Sequence, residues 1–229
     1  QELQEKLFLT SANSINIARL IPQSFYYFYA WSRMETEKPV VFSVPSGNFG
    51  NLTAGLLAKR MGLPVHHFVA STNINDIVPA YLASGLFEPR PSQSTISNAM
   101  DVGNPSNFAR MLELYEHSHV AMKRDISGFY FSDEETKAAM QKVFQSDKYV
   151  MDPHGAVGYL GLKRYQQSNP DTAGIFLETA HPAKFKETVD ATLPHGVEIP
   201  QSLLKFLSRK KSSIGIGNDF NDLKGWLID

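Results

Sequence analysis

The sequence predicts an α/β fold: an open, mostly parallel, twisted sheet with flanking helices. Two short stretches, residues 40–45 and 65–70, are rich in the β-branched and aromatic residues that strands favour. Between them, residues 52–61 are apolar at helical spacing. A strand, a helix and a second strand in this order form a βαβ unit, whose ligands bind at the carboxyl ends of the parallel strands.

A long helix is predicted upstream of this unit, over residues 15–33, with its cap near Asn13 or Ser14 and with a kink at Pro22. Its aromatic run at 25–31 is more typical of core packing than of a ligand site, because aromatic residues at helical spacing usually pack together.

Downstream, residues 89–107 are polar, contain three prolines and show no period, which is typical of a functional or mobile loop. Further helices are predicted at 107–117, from Ser132 with Glu135 in a capping box, and at 153–167 with Asp152 as the cap. The stretch 174–178 predicts a third strand, and the tail predicts two short helices, 202–208 and 219–228.

Composition excludes several classes of protein. With 22 basic and 23 acidic residues, the net charge of -1 suits neither a nucleic-acid partner nor an anionic membrane surface. The absence of cysteine excludes disulfide frameworks and thiolate metal sites and fits a reducing compartment. The seven histidines have no metal-ligand spacing, and no apolar run is long enough to span a membrane. We therefore expect a cytoplasmic protein without a metal.

A glycine-rich loop, Ser-Gly-Asn-Phe-Gly-Asn at 46–51, separates the first strand from its helix. Its glycines permit a tight turn with converging N–H groups, and the helix start adds partial positive charge, so the loop can hold a phosphate. The same residues also suit an ordinary tight turn, because Asn and Gly tolerate left-handed conformations. The spacing matches neither a dinucleotide fingerprint nor a nucleoside-triphosphate loop.

A second polar motif, Thr-Ala-His-Pro-Ala-Lys-Phe at 179–185, directly follows the third strand. A polar residue at the carboxyl end of a parallel strand faces the same crevice as the glycine loop. Alternatively, Thr179 and His181 only cap a helix that begins at Pro182. No nucleophile elbow and no Ser, His and Asp set in hydrolase order is recognisable.

Four separated blocks together resemble a known family: residues 11–16, 44–55, 97–102 and 179–185. In this order they resemble the threonine synthases, pyridoxal-phosphate enzymes that convert O-phospho-L-homoserine and water to threonine and phosphate. The resemblance extends from Leu9 to about Thr188. It implies a fold-type II architecture, like that of tryptophan synthase β and the serine and threonine dehydratases.

The resemblance also implies a cofactor, pyridoxal 5'-phosphate, and the residues that bind it. Thr179 would hydrogen-bond the pyridine nitrogen, and a neutral hydroxyl does not keep that nitrogen protonated. The cofactor phosphate would be held by Gly47, Asn48, Phe49, Gly50 and Asn51.

On the substrate side, Asn13, Ser14 and Arg19 are candidates, because the phosphate and carboxylate of phosphohomoserine need cationic and hydrogen-bonding partners. The family's Schiff-base lysine belongs to a motif resembling Phe-Lys-Asp in an amino-terminal segment. This chain lacks such a segment, and Lys184 is not a replacement, since it lies in the block after the third strand. We therefore assign no catalytic residue here and expect the lysine upstream, as the mid-protein character of the first six residues also indicates.

We expect residues 1–190 to form an incomplete cofactor-binding domain and residues 191–229 to form a helical tail that packs on it. The full-length protein would make threonine, whereas this chain alone would be inactive. Two alternatives stay open: a related fold-type II phospholyase or dehydratase, since one sequence does not reveal pocket selectivity, or a non-catalytic phosphate-binding module.

Overall fold

The computed structural model of the chain describes residues 2–10, 13–14, 16–207, 209–210 and 212–228. The chain forms two compact units, of which the larger spans residues 14–198 and the smaller combines the first thirteen residues with residues 199–229. The sequence had assigned those first residues to the large domain. The predicted boundary at residue 190, with the tail packed on the large domain, stays a prediction.

The larger unit is built on a four-stranded, wholly parallel sheet in the order β3-β2-β1-β4. Its strands are β1 (Val40–Pro45), β2 (His67–Thr72), β3 (Ile126–Tyr130) and β4 (Ala173–Phe176). Every residue of β1 and β2 is buried, as expected for central strands that helices cover on both faces. The predicted open parallel α/β fold is confirmed.

Helices surround this sheet and follow the chain between its strands. In the larger unit they are α2 (Ile17–Ser32), α3 (Gly50–Arg60), α4 (Ile77–Ser84), α5 (Phe108–Leu114), α6 (His119–Asp125), α7 (Asp133–Asp147), α8 (Pro153–Ser168) and α9 (Lys186–Thr192). The smaller unit contains α1 (Glu2–Lys6), α10 (Gln201–Leu207) and α11 (Phe220–Ile228). No helix in the described part of the chain is long and apolar enough to cross a membrane.

The helix caps that the sequence predicted for α7 and α8 are confirmed. Ser132 and Glu135 form a reciprocal capping box at the start of α7. At α8, the Asp152 side chain accepts a hydrogen bond from the N–H of His154, and Pro153 occupies the first turn. Both helices therefore begin where local side-chain chemistry satisfies their first N–H groups.

The start of α2 differs from the prediction. Its cap is Asn16, whose Oδ1 accepts a hydrogen bond of 3.0 Å from the N–H of Ala18. The predicted cap at Asn13 or Ser14 is wrong, because the helix begins at Ile17, two residues later than predicted. The helix then runs without interruption through Pro22.

Core packing of the aromatic run in α2 is only partly confirmed. Tyr27 is fully buried and packs against Phe42 and Phe68, with ring centroids 5.0 Å and 6.0 Å away. Phe25 and Tyr29 are instead 61% and 68% exposed. The sheet and α3 cover only one face of α2, and the helical period turns these two residues away from that face.

Candidate functional site

The glycine-rich loop carries the chain from the carboxyl end of β1 into α3. Its residue with a left-handed backbone is Phe49, with φ of 59°, and Phe49 caps the helix without a side-chain hydrogen bond. No described residue accepts a hydrogen bond from the backbone N–H groups of residues 47–52. Unpaired N–H groups at the start of an 11-residue helix form an anion site, so the loop fits a phosphate.

Gly47 allows this loop to approach a neighbouring segment closely. A Cβ on Gly47 would lie 2.6 Å from Met100 Cα and 2.9 Å from Ala99 O. The neighbouring segment is part of the polar loop 89–107, and Asp101 anchors it by accepting hydrogen bonds from Asn73 Nδ2 at 2.8 Å and from Thr95 Oγ1 at 2.7 Å. The long loop therefore supports the phosphate-binding turn.

Asn48 fixes the shape of the loop through its side chain. Its Nδ2 donates hydrogen bonds to Ser14 Oγ at 2.5 Å and to Ser106 Oγ at 2.8 Å. Its Oδ1 accepts the N–H of Ser106 at 2.6 Å, and its carbonyl accepts from Asn107 Nδ2 at 3.0 Å. The Asn48 amide is thus occupied within the protein, and the structure brings the predicted Ser14 to the loop.

A cavity of about 490 Å³ opens beside this loop, at the carboxyl ends of β1 and β4. It is lined by Arg19, Gln23, Tyr26, Asn51, Leu177, Glu178 and Thr179. The sequence had singled out Arg19, Asn51 and Thr179, and all three border this one space. Asn13 belongs to the smaller unit, which the structure defines separately.

Two of the four cavity residues that were not predicted lie on α2, where the sequence carries a readable signal for them. Gln23 and Tyr26 follow Arg19 at spacings of four and three residues, which places all three on one face of the helix. Of these three residues, only the charged Arg19 was predicted from the sequence.

Asn51 is oriented by a tyrosine from α2. The hydroxyl of Tyr27 lies 2.8 Å from both the carbonyl oxygen and Oδ1 of Asn51. Burial raises the pKa of Tyr27, so its hydroxyl stays a donor. With Oδ1 turned to the tyrosine, Asn51 Nδ2 has no acceptor among the described residues and is free for a ligand in the cavity.

The two polar residues that were singled out in the motif after β4, Thr179 and His181, have different roles. His181 caps the short 3₁₀ helix Pro182–Phe185, since its Nδ1 accepts the N–H of Ala183 at 3.1 Å. Thr179 does not cap that helix and borders the cavity. The capping alternative is therefore right for His181 and wrong for Thr179.

A buried acidic cluster next to Thr179 was not predicted. Asp152 is fully buried, and its Oδ1 accepts hydrogen bonds from the N–H of His154 at 2.7 Å and from His154 Nδ1 at 2.6 Å. Burial acts to raise the pKa of Asp152, but the hydrogen bonds from His154 help to lower it below its ordinary value. Burial, followed by the neighbouring Asp152, raises the pKa of Glu178 to about 9. The available signal was that Glu178 ends the apolar stretch 174–178, which was predicted as a strand.

Comparison with known proteins agrees with this geometry. The family described as pyridoxal-phosphate dependent enzyme matches residues 2–177. The chain belongs to this family. A second family, described as threonine synthase, C-terminal, matches residues 155–226 of the chain. In the described residues, no group of three or more His, Asp and Glu side chains is arranged to hold a metal ion.

Several threonine synthases are similar to this chain over nearly its whole length. The chain is 47% identical to that of Haemophilus influenzae over 99% of its own length and 53% of the relative. The crystal structure of Escherichia coli threonine synthase superposes with a TM-score of 0.92 at 43% identity, covering all of this chain and 53% of the other.

The pyridoxal-phosphate-bound threonine synthase of Brucella melitensis superposes with a TM-score of 0.87 at 32% identity, covering 99% of this chain and 54% of the other. The chain therefore spans about half the length of the relatives that it matches. The predicted resemblance to threonine synthases and to the fold-type II enzymes is confirmed.

Proposed function

We propose that this chain is the part of a threonine synthase that binds the cofactor phosphate, and that the whole protein converts O-phospho-L-homoserine and water to L-threonine and phosphate. One observation carries the proposal: the unpaired N–H groups of residues 47–52 lie beside a cavity that Asn51 and Thr179 border. The identity to threonine synthases over nearly the whole chain supports the choice of reaction.

The loop would hold the phosphate of pyridoxal 5'-phosphate by its backbone. The N–H groups of Gly47, Asn48, Phe49, Gly50 and Asn51 supply hydrogen bonds, and the start of α3 adds partial positive charge. No lysine or arginine is needed at this point, because the charge of the phosphate is met by oriented dipoles.

Bound pyridoxal phosphate supplies an electron sink for charge that develops at the substrate's α-carbon. Thr179 borders the cavity after the end of β4, and its hydroxyl would donate a hydrogen bond to the pyridine nitrogen. A hydroxyl is neutral at physiological pH, so Thr179 orients the ring without keeping its nitrogen protonated.

Arg19 would bind an anionic group of phosphohomoserine. Arg19 borders the same cavity as Thr179, and a guanidinium group pairs with both carboxylate and phosphate. Gln23 and Tyr26 also border this cavity, with groups that can hydrogen-bond to the substrate. Ser14 would contribute through Asn48 by fixing the shape of the loop.

The activity test uses the full-length protein with phosphohomoserine as substrate. Phosphate and threonine should appear in equal amounts. Thr179→Val keeps the shape of the side chain, removes its hydroxyl, and should lower kcat, whereas the exposed Thr36→Val should not. Release of product from a different amino acid, without threonine from phosphohomoserine, would favour a dehydratase or another phospholyase.

The position of the lysine is tested by borohydride reduction of the full-length protein with bound cofactor, followed by peptide mapping. The pyridoxyl group should be found on a lysine outside these 229 residues. An adduct on a lysine within them would contradict the assignment. Cofactor binding without any turnover would instead support a non-catalytic phosphate-binding module.

A further inference from the structure

The acidic cluster lies where α8 begins and β4 ends. A Cβ on Gly155 would lie 2.2 Å from the carboxyl carbon of Glu178, so the glycine makes room for that carboxyl group in the first turn of α8. Both carboxyl oxygens of Glu178 and Oδ2 of Asp152 are buried, and none of them has a hydrogen-bond partner. Buried polar atoms without partners are costly in a folded protein, so this cluster needs a physical explanation.

The hydrogen bonds of His154 determine the charge state of its neighbour. Its Nε2 accepts the N–H of Ala99 at 3.2 Å, so this nitrogen carries no proton. Its Nδ1 therefore carries the proton and donates to Asp152 Oδ1 at 2.6 Å. Asp152 receives a second hydrogen bond at the same oxygen from the backbone, which favours its ionised form.

Glu178 is then a carboxyl group next to a buried carboxylate. Two adjacent carboxylates cannot both stay ionised away from water, and one proton between them removes the repulsion. A proton on Glu178 also gives Asp152 Oδ2 the donor that it lacks. Burial and Asp152 both raise the pKa of Glu178. The other titratable or charged groups near the pair are His154, Tyr149, whose pKa is raised by burial and then by both carboxyl groups, and Arg19, which borders the same cavity as Glu178.

We propose that Asp152 and Glu178 share one proton and that this acid pair, held by His154, positions Thr179 against the cofactor. The acid pair, together with His154, connects Thr179 with the segment that supports the phosphate loop. Glu178 immediately precedes Thr179, and at the other end His154 binds Ala99, which lies against Gly47 of the phosphate loop. The role at Thr179 rests on the proposed function, whereas the shared proton does not. Glu178 acts here as a positioning residue.

The shared proton is tested on the full-length protein without cofactor or substrate. Infrared spectra at pH 7 should contain a carbonyl band of a protonated carboxylic acid that shifts in D₂O. Glu178→Gln should remove this band, and Glu187→Gln, at an exposed position on α9, should retain it. A wild-type spectrum without the band, or a Glu178→Gln spectrum that keeps it, would overturn the proposal regardless of the enzyme's activity.

The positioning role is tested by titrating pyridoxal phosphate at several pH values and recording its absorption spectrum. Wild-type affinity should fall as the pH rises through about 9, where Glu178 ionises. Glu178→Gln imitates the protonated acid, so it should bind as wild type does at pH 7 and lose less affinity at alkaline pH.

Glu178→Ala should weaken binding by about tenfold, as loss of a supporting partner typically does. In a Thr179→Val background the effect of Glu178→Ala should be much smaller, since Glu178 acts through Thr179. An equal alkaline loss in wild type and Glu178→Gln, or undiminished weakening in the double variant, would overturn the positioning role.

Discussion

Gly47 is required by a close contact rather than by its backbone angle. The left-handed residue of the loop is Phe49, and the space beside Gly47 is filled by the backbone of Ala99 and Met100. From the sequence, Gly47 was expected to supply a positive φ in a tight turn, but the structure does not give it one. The structure replaces this reason with a steric one.

The first prediction concerns Gly47→Val. Its side chain would push the loop away from Met100, which should cost about 1–3 kcal/mol of stability, as overpacking does elsewhere. The displaced N–H groups should also bind pyridoxal phosphate at least about tenfold more weakly. Gly215→Val is the control, because no atom lies within 4 Å of a Cβ at that position. Equal cofactor affinity in both variants would remove the loop from the site.

A second prediction concerns Tyr27→Phe, which removes one hydroxyl without changing the packing of the ring. Asn51 would lose its donor, so stability should fall by about 1 kcal/mol and cofactor affinity should fall with it. Denaturant unfolding and cofactor titration measure the two effects. Tyr29→Phe, on the exposed side of the same helix, should change neither.

At the level of elements, α2 and α3 pack so closely that a glycine is needed between them. A Cβ on Gly55 would lie 2.6 Å from Tyr27 Cζ and 2.8 Å from Phe68 Cε1. This contact holds α2, with its cavity-lining residues, against the helix that begins at the phosphate loop. The close packing of α2 on α3 therefore requires that residue 55 has no side chain.

Gly55→Ala should therefore destabilise the chain by about 1–3 kcal/mol, although alanine favours helices, because both neighbouring rings must move. Thermal unfolding measures the change. The control is Gly225→Ala in α11, where a Cβ meets no atom within 4 Å and should leave stability unchanged or slightly higher. Stabilisation by Gly55→Ala would show that the interface has room.

The elements that the sequence predicted best are those with local signals. The starts of α7 and α8 follow from Ser132, Glu135 and Asp152, since capping depends on residues only a few positions apart. The edge strand β3 was not predicted, because Gly128 interrupts its short apolar pattern. The helices α4 and α6 were also missed, in a region that the sequence analysis left unassigned between stronger signals.

The candidate site, too, could be predicted only where the sequence carries a local signal. Asn51 and Thr179 could be placed together because the ends of neighbouring parallel strands share one edge of a sheet. The pairing of Asp152 with Glu178 could not be predicted, because it depends on how α8 packs against the end of β4. No spacing in the sequence encodes that distance.

For the whole molecule, the two buried carboxyl groups act on stability in opposite pH ranges. The pKa of Asp152 is lowered from 3.8, so its contribution is present above that value and is lost as the pH falls further. The pKa of Glu178 is raised from 4.5 to about 9, so its contribution is present at acidic pH and is lost as the pH rises between these values.

We therefore expect the free energy of unfolding of the wild-type chain to fall, relative to Glu178→Gln, as the pH rises from 5 to 9. The amide cannot titrate, so the variant lacks this loss. Urea unfolding at several pH values measures the difference, with Glu187→Gln as the control. Parallel pH profiles for wild type and Glu178→Gln would contradict the raised pKa.

The strand order of the sheet has a consequence for how the chain folds. Val41 pairs with His67 across a short connection, whereas Val40 pairs with Ala173 only after most of the chain has been closed into a loop. Contacts between distant residues form slowly, so we expect β4 to join the sheet last. Pulse-labelling hydrogen exchange during refolding should show late protection in β4. Thr179 follows β4, so the complete set of cofactor contacts proposed here can form only once the sheet is finished.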